Sequence, residues 1–445
     1  MRLIGICIEI SAIVIVCICI FLILQKIIFR LGQYFNLPRL IQIVSQPLKL
    51  ESSEYYTNNK KNEYNKFSVK KMLLFIAISR ILIFLFAYLL DSFFYSKGYV
   101  DFSTHFRRAW FIQDAEHYAT IAQNGYVNTG EDKRFIAFYP MYPLLLRIFS
   151  YAFQSYMVSG VVISILCLII ACYVLMKLVS HEFGNSKIAN GAIKYILIFP
   201  LTFFFSIGYT ESLFLMLTVM CFYFLRTKKW LLAGICGMLA SLTKNQGMLL
   251  IIPMFIEMFF GSNIIHHLKA CEYKKVLKSW LRSGLYILLC PLGTGIYILI
   301  NKLVTGNWFT YITYQKIYWD HKINIFAFNL SEMFDVMYSN QQKNIFIAGT
   351  IIPTLVFFFA ALLIIILSIR KNPLIYTIYS LAFVIVSYTP SWVISGPRYI
   401  MNIFPMFIFL SLLTYERKAL RYTFNILSIL MLVFLTTTFL FRGTY

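Results

Sequence analysis

The chain has 445 residues, with 40 Lys and Arg against 18 Asp and Glu, giving a formal net charge of +22. Hydrophobic residues make up 60% and charged residues only 13%, about half the charged share of a soluble chain. That composition disfavours a soluble enzyme, a repeat solenoid, a disulfide scaffold and disorder, because so much apolar surface must be buried somewhere. It leaves a polytopic membrane protein, which uses its 43 Phe against lipid and its 31 Tyr at the headgroup level. The positive charge gathers in loops beside apolar runs, where it holds orientation, so no nucleic-acid partner is expected.

A membrane span needs about 20 apolar residues. Residues 3–24 qualify and exceed the apolar core of a cleaved signal, so they are read as a retained anchor. Residues 25–71 are rich in Lys and Arg and are placed in the cytoplasm. Residues 1–71 therefore form an anchor and basic linker, and 72–445 the main transmembrane domain. The span 72–94 contains Arg80, whose place near the inner end suggests snorkelling. An outer loop follows at 91–140, where acids slightly outnumber basic residues.

Further spans are expected at 156–178, 190–208, 211–225, 283–300, 346–368, 374–392, 398–414 and 422–440. Basic clusters at Arg226 to Lys229, Lys269 to Arg282, Arg370 with Lys371, and Arg417 to Arg421 fall on one side if 231–260 enters and leaves on the same face. That segment is broken by Thr243, Lys244, Asn245, Gln246 and Gly247. Two half-helices with a polar elbow fit it, and one long tilted span is the alternative. A second outer loop, 303–343, is rich in aromatic residues. The expected fold is an all-α bundle of about ten transmembrane helices plus a re-entrant pair, with two large loops on the outer face. The nine cysteines show no CxxC and no zinc spacing, and read as small hydrophobes.

Three stretches could carry chemistry. Asp114, His117 and Tyr118 stand at i, i+3 and i+4, sharing one helix face, with Glu116 between them. A carboxylate beside an imidazole can act as a general base or hold a divalent cation; the plain alternative is a helix cap at Asp114. Tyr209, Thr210, Glu211 and Ser212 form a polar set between Phe runs, where Glu211 could equally be a solvated turn carboxylate. Lys244 in the elbow and Arg398, beside Tyr399 at the head of a span, need an anion. A lipid phosphate would serve, as would an intramembrane carboxylate such as Glu257.

These motifs carry a resemblance. Asp114-Ala-Glu-His-Tyr-Ala-Thr-Ile-Ala-Gln-Asn-Gly-Tyr126 is followed by Ala137-Phe-Tyr-Pro-Met-Tyr-Pro-Leu-Leu145 and Phe203-Phe-Phe-Ser-Ile-Gly-Tyr-Thr-Glu-Ser-Leu-Phe214. Leu239-Ala-Ser-Leu-Thr-Lys-Asn-Gln-Gly247 and Pro397-Arg-Tyr399 complete the order. The series resembles the PIG-V family of mannosyltransferases over roughly residues 70–415. Gln113 stands where that family has Trp, and Lys244 supplies the basic residue of the elbow, keeping the charge without the guanidinium fork.

The resemblance implies a GT-C architecture and an enzyme that takes a sugar from a polyprenyl-phosphate donor on the outer or lumenal face. It implies Asp114 as base, with Glu116 and His117 beside it. Tyr118, Tyr209, Glu211, Lys244, Arg398 and Tyr399 would bind substrate. The acceptor would be a glycolipid, polymer or protein. No metal ligand set is expected, and a divalent cation at the Asp114/Glu116 loop is the one cofactor the residues admit. The membrane would be the cell membrane of a bacterium, which the composition favours, or the endoplasmic reticulum of a eukaryote. A transporter or lipid flippase is the alternative reading; it would explain Lys244 and Arg80 but calls for an internal repeat that the sequence lacks.

Overall fold

A computed structural model of the chain describes residues 2–35, 68–95, 101–261, 264–322, 324–338, 344–391 and 395–441. Most of the basic linker expected within 25–71 lies outside the described residues. Among those described the architecture is helical throughout, with no β-strand. The chain opens with α1 (Arg2–Phe35) and α2 (Val69–Tyr95), then α3 (Phe102–Trp110), α4 (Asp114–Asn124), a 3₁₀ segment at Glu131–Ala137, and α5 (Met141–Phe153). Next come α6 (Tyr156–Phe183), α7 (Ser186–Leu197), α8 (Glu211–Arg226), α9 (Trp230–Ser241), α10 (Ile251–Gly261), α11 (Tyr273–Ile287) and α12 (Leu289–Thr305). The chain continues through α13 (Thr310–Trp319), α14 (Phe328–Tyr338), α15 (Ile352–Ser368) and α16 (Leu374–Ser387). It closes with α17 (Gly396–Ile400), α18 (Pro405–Thr414) and α19 (Lys418–Leu440).

Six helical stretches among the described residues are long and apolar enough to cross a membrane: Ile4–Gln33, Val69–Phe94, Tyr156–Phe183, Tyr273–Thr305, Asn344–Ser368 and Lys418–Leu440. The chain is a multi-pass membrane protein. In α1, α2 and α19 only 22% of the most apolar window is buried in the protein, so these faces are left for lipid. The expected spans at 190–208, 211–225, 374–392 and 398–414 are built instead from helices of 10 to 16 residues.

The core forms where α6 packs on α7 and α8, α8 on α9, α9 on α12, and α18 on α7. Capping sets the sharp α6–α7 corner. Ser155 starts α6 by accepting from the Val158 N–H, Gly184 ends it at φ 58°, and Asn185 accepts from the Lys187 N–H to start α7.

The two ends of 228–261 meet. The Lys228 ammonium before α9 donates to the Gly261 carbonyl at the end of α10, at 2.7 Å, and also pairs with Glu257. Arg226 joins Glu257 to Glu182 at the same end. The segment therefore enters and leaves on one face, with Lys244 at its apex. Glu257 belongs to this basic end and has no part in holding Lys244 or Arg398. Lys26 reaches the same end, donating to the Ile369 carbonyl at 2.6 Å and fixing α1 to the α15–α16 turn.

At the opposite end the 3₁₀ segment Glu131–Ala137 and α5 meet at 114°. Pro140 and Pro143 occupy that bend and the first turn of α5, where a missing N–H is harmless. The Met141 N–H donates to the Leu242 carbonyl at 3.0 Å, tying the bend to the elbow. The two long loops pack together here: α13 lies on the 3₁₀ segment, and Trp319 meets Phe138 with ring centroids 5.5 Å apart. Asn329, on α14, is fully buried and donates to the Pro390 carbonyl at 3.0 Å.

Arg80 does not snorkel. It is 3% exposed and donates to the Thr202 carbonyl at 2.7 Å, the Ser206 hydroxyl at 2.7 Å and the Thr202 hydroxyl at 3.0 Å. The chain between α7 and α8 is not a regular helix, so its polar groups need partners away from water. Arg80 supplies them, which is why a cation is retained at mid-span.

Candidate active site

Four ionised side chains from four elements converge at the end opposite Glu257. Glu211 is the first residue of α8, Asp114 the first of α4, Lys244 sits in the elbow, and Arg398 lies in the short α17. Arg398 Nε donates to Glu211 Oε1 at 2.6 Å, and its Nη1 donates to Asp114 Oδ2 at 2.7 Å. Lys244 Nζ donates to the same Glu211 oxygen at 2.6 Å. The Glu211 side chain is 0% exposed, Arg398 10%, Lys244 12% and Asp114 24%. The cluster thus opens towards Asp114 and is sealed at Glu211.

Glu211 is not a solvated turn carboxylate. It is the counter-ion that lets two cations sit at depth, since a buried charge without a partner is costly. Arg398 also rests against two aromatic rings that touch each other: its guanidinium carbon lies 4.7 Å from the Tyr209 ring centre and 5.1 Å from that of Phe204. Cation–π contact and the two carboxylates fix the plane of the guanidinium. The Tyr209 hydroxyl donates to the Ile112 carbonyl at 3.0 Å, so the same residue holds the chain leading into α4.

Close backbone approach brings α4 to this place. A Cβ on Gly160 would stand 2.9 Å from the Gly208 Cα, and a Cβ on Gly208 would touch the Ala115 side chain at 3.5 Å. Glycine at 160 is therefore what allows α6 and the 207–210 turn to stack, and the start of α4 packs on that turn at ordinary contact distance.

Asp114 is not a capping side chain. Gln113 takes the N-cap position at φ 53°, in the left-handed region, and makes no side-chain cap bond. Its carbonyl accepts from the Glu116 and His117 N–H groups, at 3.0 and 3.2 Å. The Asp114 carboxylate is thereby released to face Arg398.

Tyr118 is buried, its ring edge-on to Phe138 and Tyr142. Tyr399 is half-buried and lies within electrostatic range of Arg398, Asp114 and Glu211. His117 packs its ring 4.6 Å from Phe135 and 5.4 Å from Phe138. Burial against these rings lowers the His117 pKa, outweighing the attraction of Asp114, so the imidazole is neutral at pH 7. Glu116 is exposed to solvent. The structure therefore gathers Asp114, Glu211, Lys244 and Arg398 with Tyr118, Tyr209 and Tyr399, keeps His117 at the rim, and leaves Glu116 outside.

A divalent cation does not fit the Asp114/Glu116 loop. Asp114 Oδ2 is engaged by Arg398, Glu116 faces away into solvent, and Arg398 and Lys244 would repel a second cation. Among the described residues no three His, Cys, Asp or Glu side chains come together.

Some supporting residues were not picked out from the sequence. Phe204 and Phe214 lie beside Arg398 and Lys244, yet nothing separates them from their neighbours in an apolar run. Asp91, counted only among the outer-loop acids, is a buried carboxylate at the end of α2 that accepts from Arg108 Nε at 2.8 Å and contacts His105. It anchors α3, which leads into Asp114.

The chain is similar to proteins named GPI mannosyltransferase 2. The protein from Cryptococcus neoformans var. neoformans serotype D is 27% identical over 189 residues, covering 39% of this chain and 43% of that protein. The protein from Schizosaccharomyces pombe is 27% identical over 164 residues, covering 36% of this chain and 33% of that one. The matched part is thus less than half of each relative's length. The resemblance carried by the motifs is borne out by these relatives. No family model matches the chain. Among solved structures, the Archaeoglobus fulgidus oligosaccharyltransferase in its apo form aligns with a TM-score of 0.43 at 13% identity, covering 86% of this chain and 57% of that one. A structure of the same organism's oligosaccharyltransferase AglB with an inhibitory peptide and a dolichol-phosphate aligns with a TM-score of 0.42 at 13% identity, covering 84% and 56% of the two chains.

Proposed function

We propose that this chain is a membrane glycosyltransferase of the GT-C class. It moves mannose from a polyprenyl-phosphate donor to an acceptor hydroxyl on the outer or lumenal face, with inversion. The observation that carries the reading is the ion chain Asp114–Arg398–Glu211–Lys244, in which a partly open carboxylate shares its cation with a sealed one. The similarity to proteins named GPI mannosyltransferase 2 supports reading the reaction as glycosyl transfer with mannose as the sugar. The 72–445 unit does the chemistry and the 1–71 segment serves as anchor and cytoplasmic linker. The host membrane is a bacterial cell membrane, and the acceptor a glycolipid, polymer or protein.

The mechanism follows from the charges. As it stands the cluster is neutral, two carboxylates against two cations. A carboxylate oxygen bonded to a guanidinium is occupied and not available to an acceptor hydroxyl. The donor brings a phosphodiester, and an Arg–phosphate contact is short and charge-assisted. When that phosphate engages Arg398, Asp114 loses its partner and its carboxylate is free to meet the acceptor hydroxyl. It then takes the proton of the attacking acceptor hydroxyl while Arg398 and Lys244 meet the charge growing on the leaving phosphate. Glu211 stays in place throughout as the buried counter-ion. Donor binding and activation of the base are in this way one event.

The test is turnover of polyprenyl-phosphate mannose by purified protein. Asp114→Asn keeps size and removes the base, so turnover should fall by about 10²–10⁴-fold, with donor affinity kept or raised because Arg398 no longer has to leave a carboxylate. Arg398→Ala should weaken donor use more than acceptor use, by roughly 2–4 kcal/mol, and Arg398→Lys should recover only part of it. Retention of more than half the activity by Asp114→Asn would sink the assignment of the base. Transport of the lipid-linked sugar without transfer would support the flippase alternative.

A further inference from the structure

The helical run from α11 into α12 is longer than a bilayer needs. Tyr273–Thr305 is 33 residues long, about 50 Å at 1.5 Å per residue. A hydrocarbon layer of about 30 Å, crossed at a tilt of about 40°, takes up only about 26 of them. About two turns must therefore stand outside it. Those turns are the start of α11, which holds Lys274, Lys275, Lys278 and Arg282, whereas the far end has only Lys302. The start of α11 lies at the end of the molecule opposite the Asp114 cluster. It follows Gly261, which meets Lys228 there, and the short helix Ile264–Lys269 that packs on it.

Helix that projects into water should be polar on every free face, and this one is not. Tyr273, Leu277, Trp280 and Leu281 are each about half exposed or more. At i, i+4, i+7 and i+8 they form one stripe. Lys274, Lys278 and Arg282, at i, i+4 and i+8, form a second stripe beside it, and all three are exposed. The third side faces the protein, where Ser283, Gly284 and Ile287 are buried. Lys275 is committed to Glu272 at 2.6 Å, and His267 meets the same carboxylate at 2.7 Å. Glu272 is the one acid between Gly261 and Leu288. Among the described residues Lys274, Lys278 and Arg282 make no ion pair. Holding orientation calls for the cations alone; it gives no reason for an exposed apolar stripe beside them.

We infer that the start of α11, from Tyr273 to Arg282, is a docking surface for anionic phospholipid headgroups in the leaflet opposite the Asp114 cluster. The zone just outside the hydrocarbon is the headgroup layer. There the apolar stripe meets the upper acyl chains, with Tyr273 and Trp280 at the depth such rings favour. The row Lys274, Lys278 and Arg282 meets the phosphates beside them, through charge-assisted hydrogen bonds. Each cation near an anionic surface contributes about fivefold to binding, a return that headgroups of no net charge do not give. The inference requires a bilayer and not the glycosyl-transfer reading of the Asp114 cluster.

The experiment places the full chain in vesicles with a fluorophore on Cys271, which is exposed just before α11, in a variant whose other cysteines are replaced. The vesicles are phosphatidylcholine with about a third phosphatidylglycerol, and one lipid or the other carries a bromine quencher. Brominated phosphatidylglycerol should quench with an apparent association constant at least about fivefold above that of brominated phosphatidylcholine. Salt at about 0.5 M should shrink that preference. Lys274→Gln with Lys278→Gln and Arg282→Gln should bring the two lipids within about twofold of each other. Lys274→Arg with Lys278→Arg should leave the preference in place. The salt series changes no residue of α11, so it decides the matter even if the triple variant fails to fold. Equal quenching by the two lipids, or a preference that survives salt or the triple variant, overturns the inference. Quenching by neither lipid would mean that another protein or a second copy covers the stripe, and overturns it too.

Discussion

At Glu211 two cations share one carboxylate oxygen with no exposure to solvent. Glu211→Gln keeps the shape and removes the counter-ion, leaving Arg398 only Asp114 and Lys244 nothing comparable. The expected loss is about 3–5 kcal/mol of stability, the cost of stranding buried charge, read as a lower unfolding midpoint in detergent. Any folded remainder should show a weakened response to donor concentration before its response to acceptor changes. His117 makes a separate prediction. Burial lowers its folded pKa beneath the unfolded value of about 6.5. As pH falls through that value the unfolded chain takes up a proton that the folded chain refuses, so stability declines on acidification. His117→Gln should flatten the part of the decline that begins near pH 6.5, checked by melting the two proteins between neutral and mildly acidic pH. The sequence singled out Asp114, Glu211, Lys244 and Arg398 because each is an ionised residue out of place in an apolar chain. It did not say that they bond to one another, since their contacts join residues 33 to 284 positions apart.

Among the elements, the elbow was legible because four polar residues and a glycine interrupt an apolar segment. Its geometry depends on a residue whose role was not legible. A Cβ on Gly247 would lie 2.3 Å from the Ala240 carbonyl carbon and from the Ser241 nitrogen, inside the backbone of α9. Gly247→Ala must push the 3₁₀ segment at Asn245–Leu250 away from α9 and carry Lys244 off Glu211. Overpacking of this kind costs about 1–3 kcal/mol, and the turnover lost should exceed what that destabilisation explains. Activity measured well below the melting point separates the two effects. The expected span at 190–208 failed for a related reason. Apolar content there is continuous, but the chain leaves the helix after Leu197, and Arg80 meets the freed groups from another element. Hydropathy along one segment holds no record of a donor that arrives from a residue 117 to 126 positions earlier.

For the whole molecule, orientation came from counting basic residues, and the structure gathers Lys26, Glu182, Arg226, Lys228, Glu257 and Gly261 at one end and the Asp114 cluster at the other. In a variant freed of native cysteines, Ser103→Cys should react with an impermeant maleimide on intact cells. Ser52→Cys should react only after permeabilisation. Reversed labelling would put the Asp114 cluster in the cytoplasm and favour a nucleotide-sugar donor. Helical character and the presence of two long loops between apolar runs were readable, because lipid admits only helices here and the loops interrupt them. The packing of those loops on each other was not, since the aromatic residues that join them suit a headgroup belt equally well.

Asn329 stands in the tripeptide Asn-Leu-Ser, which in a eukaryotic secretory membrane is an address for N-linked glycan. Its side chain is buried and committed to the Pro390 carbonyl, and the Ser331 hydroxyl is turned to the Phe328 carbonyl at 2.8 Å. A glycan-attaching enzyme could use this asparagine only before α14 docks. If the chain were made in such a membrane, the sugar would therefore act as a clock. Chains that close promptly would stay bare, and those that linger would be marked and barred from closing at all.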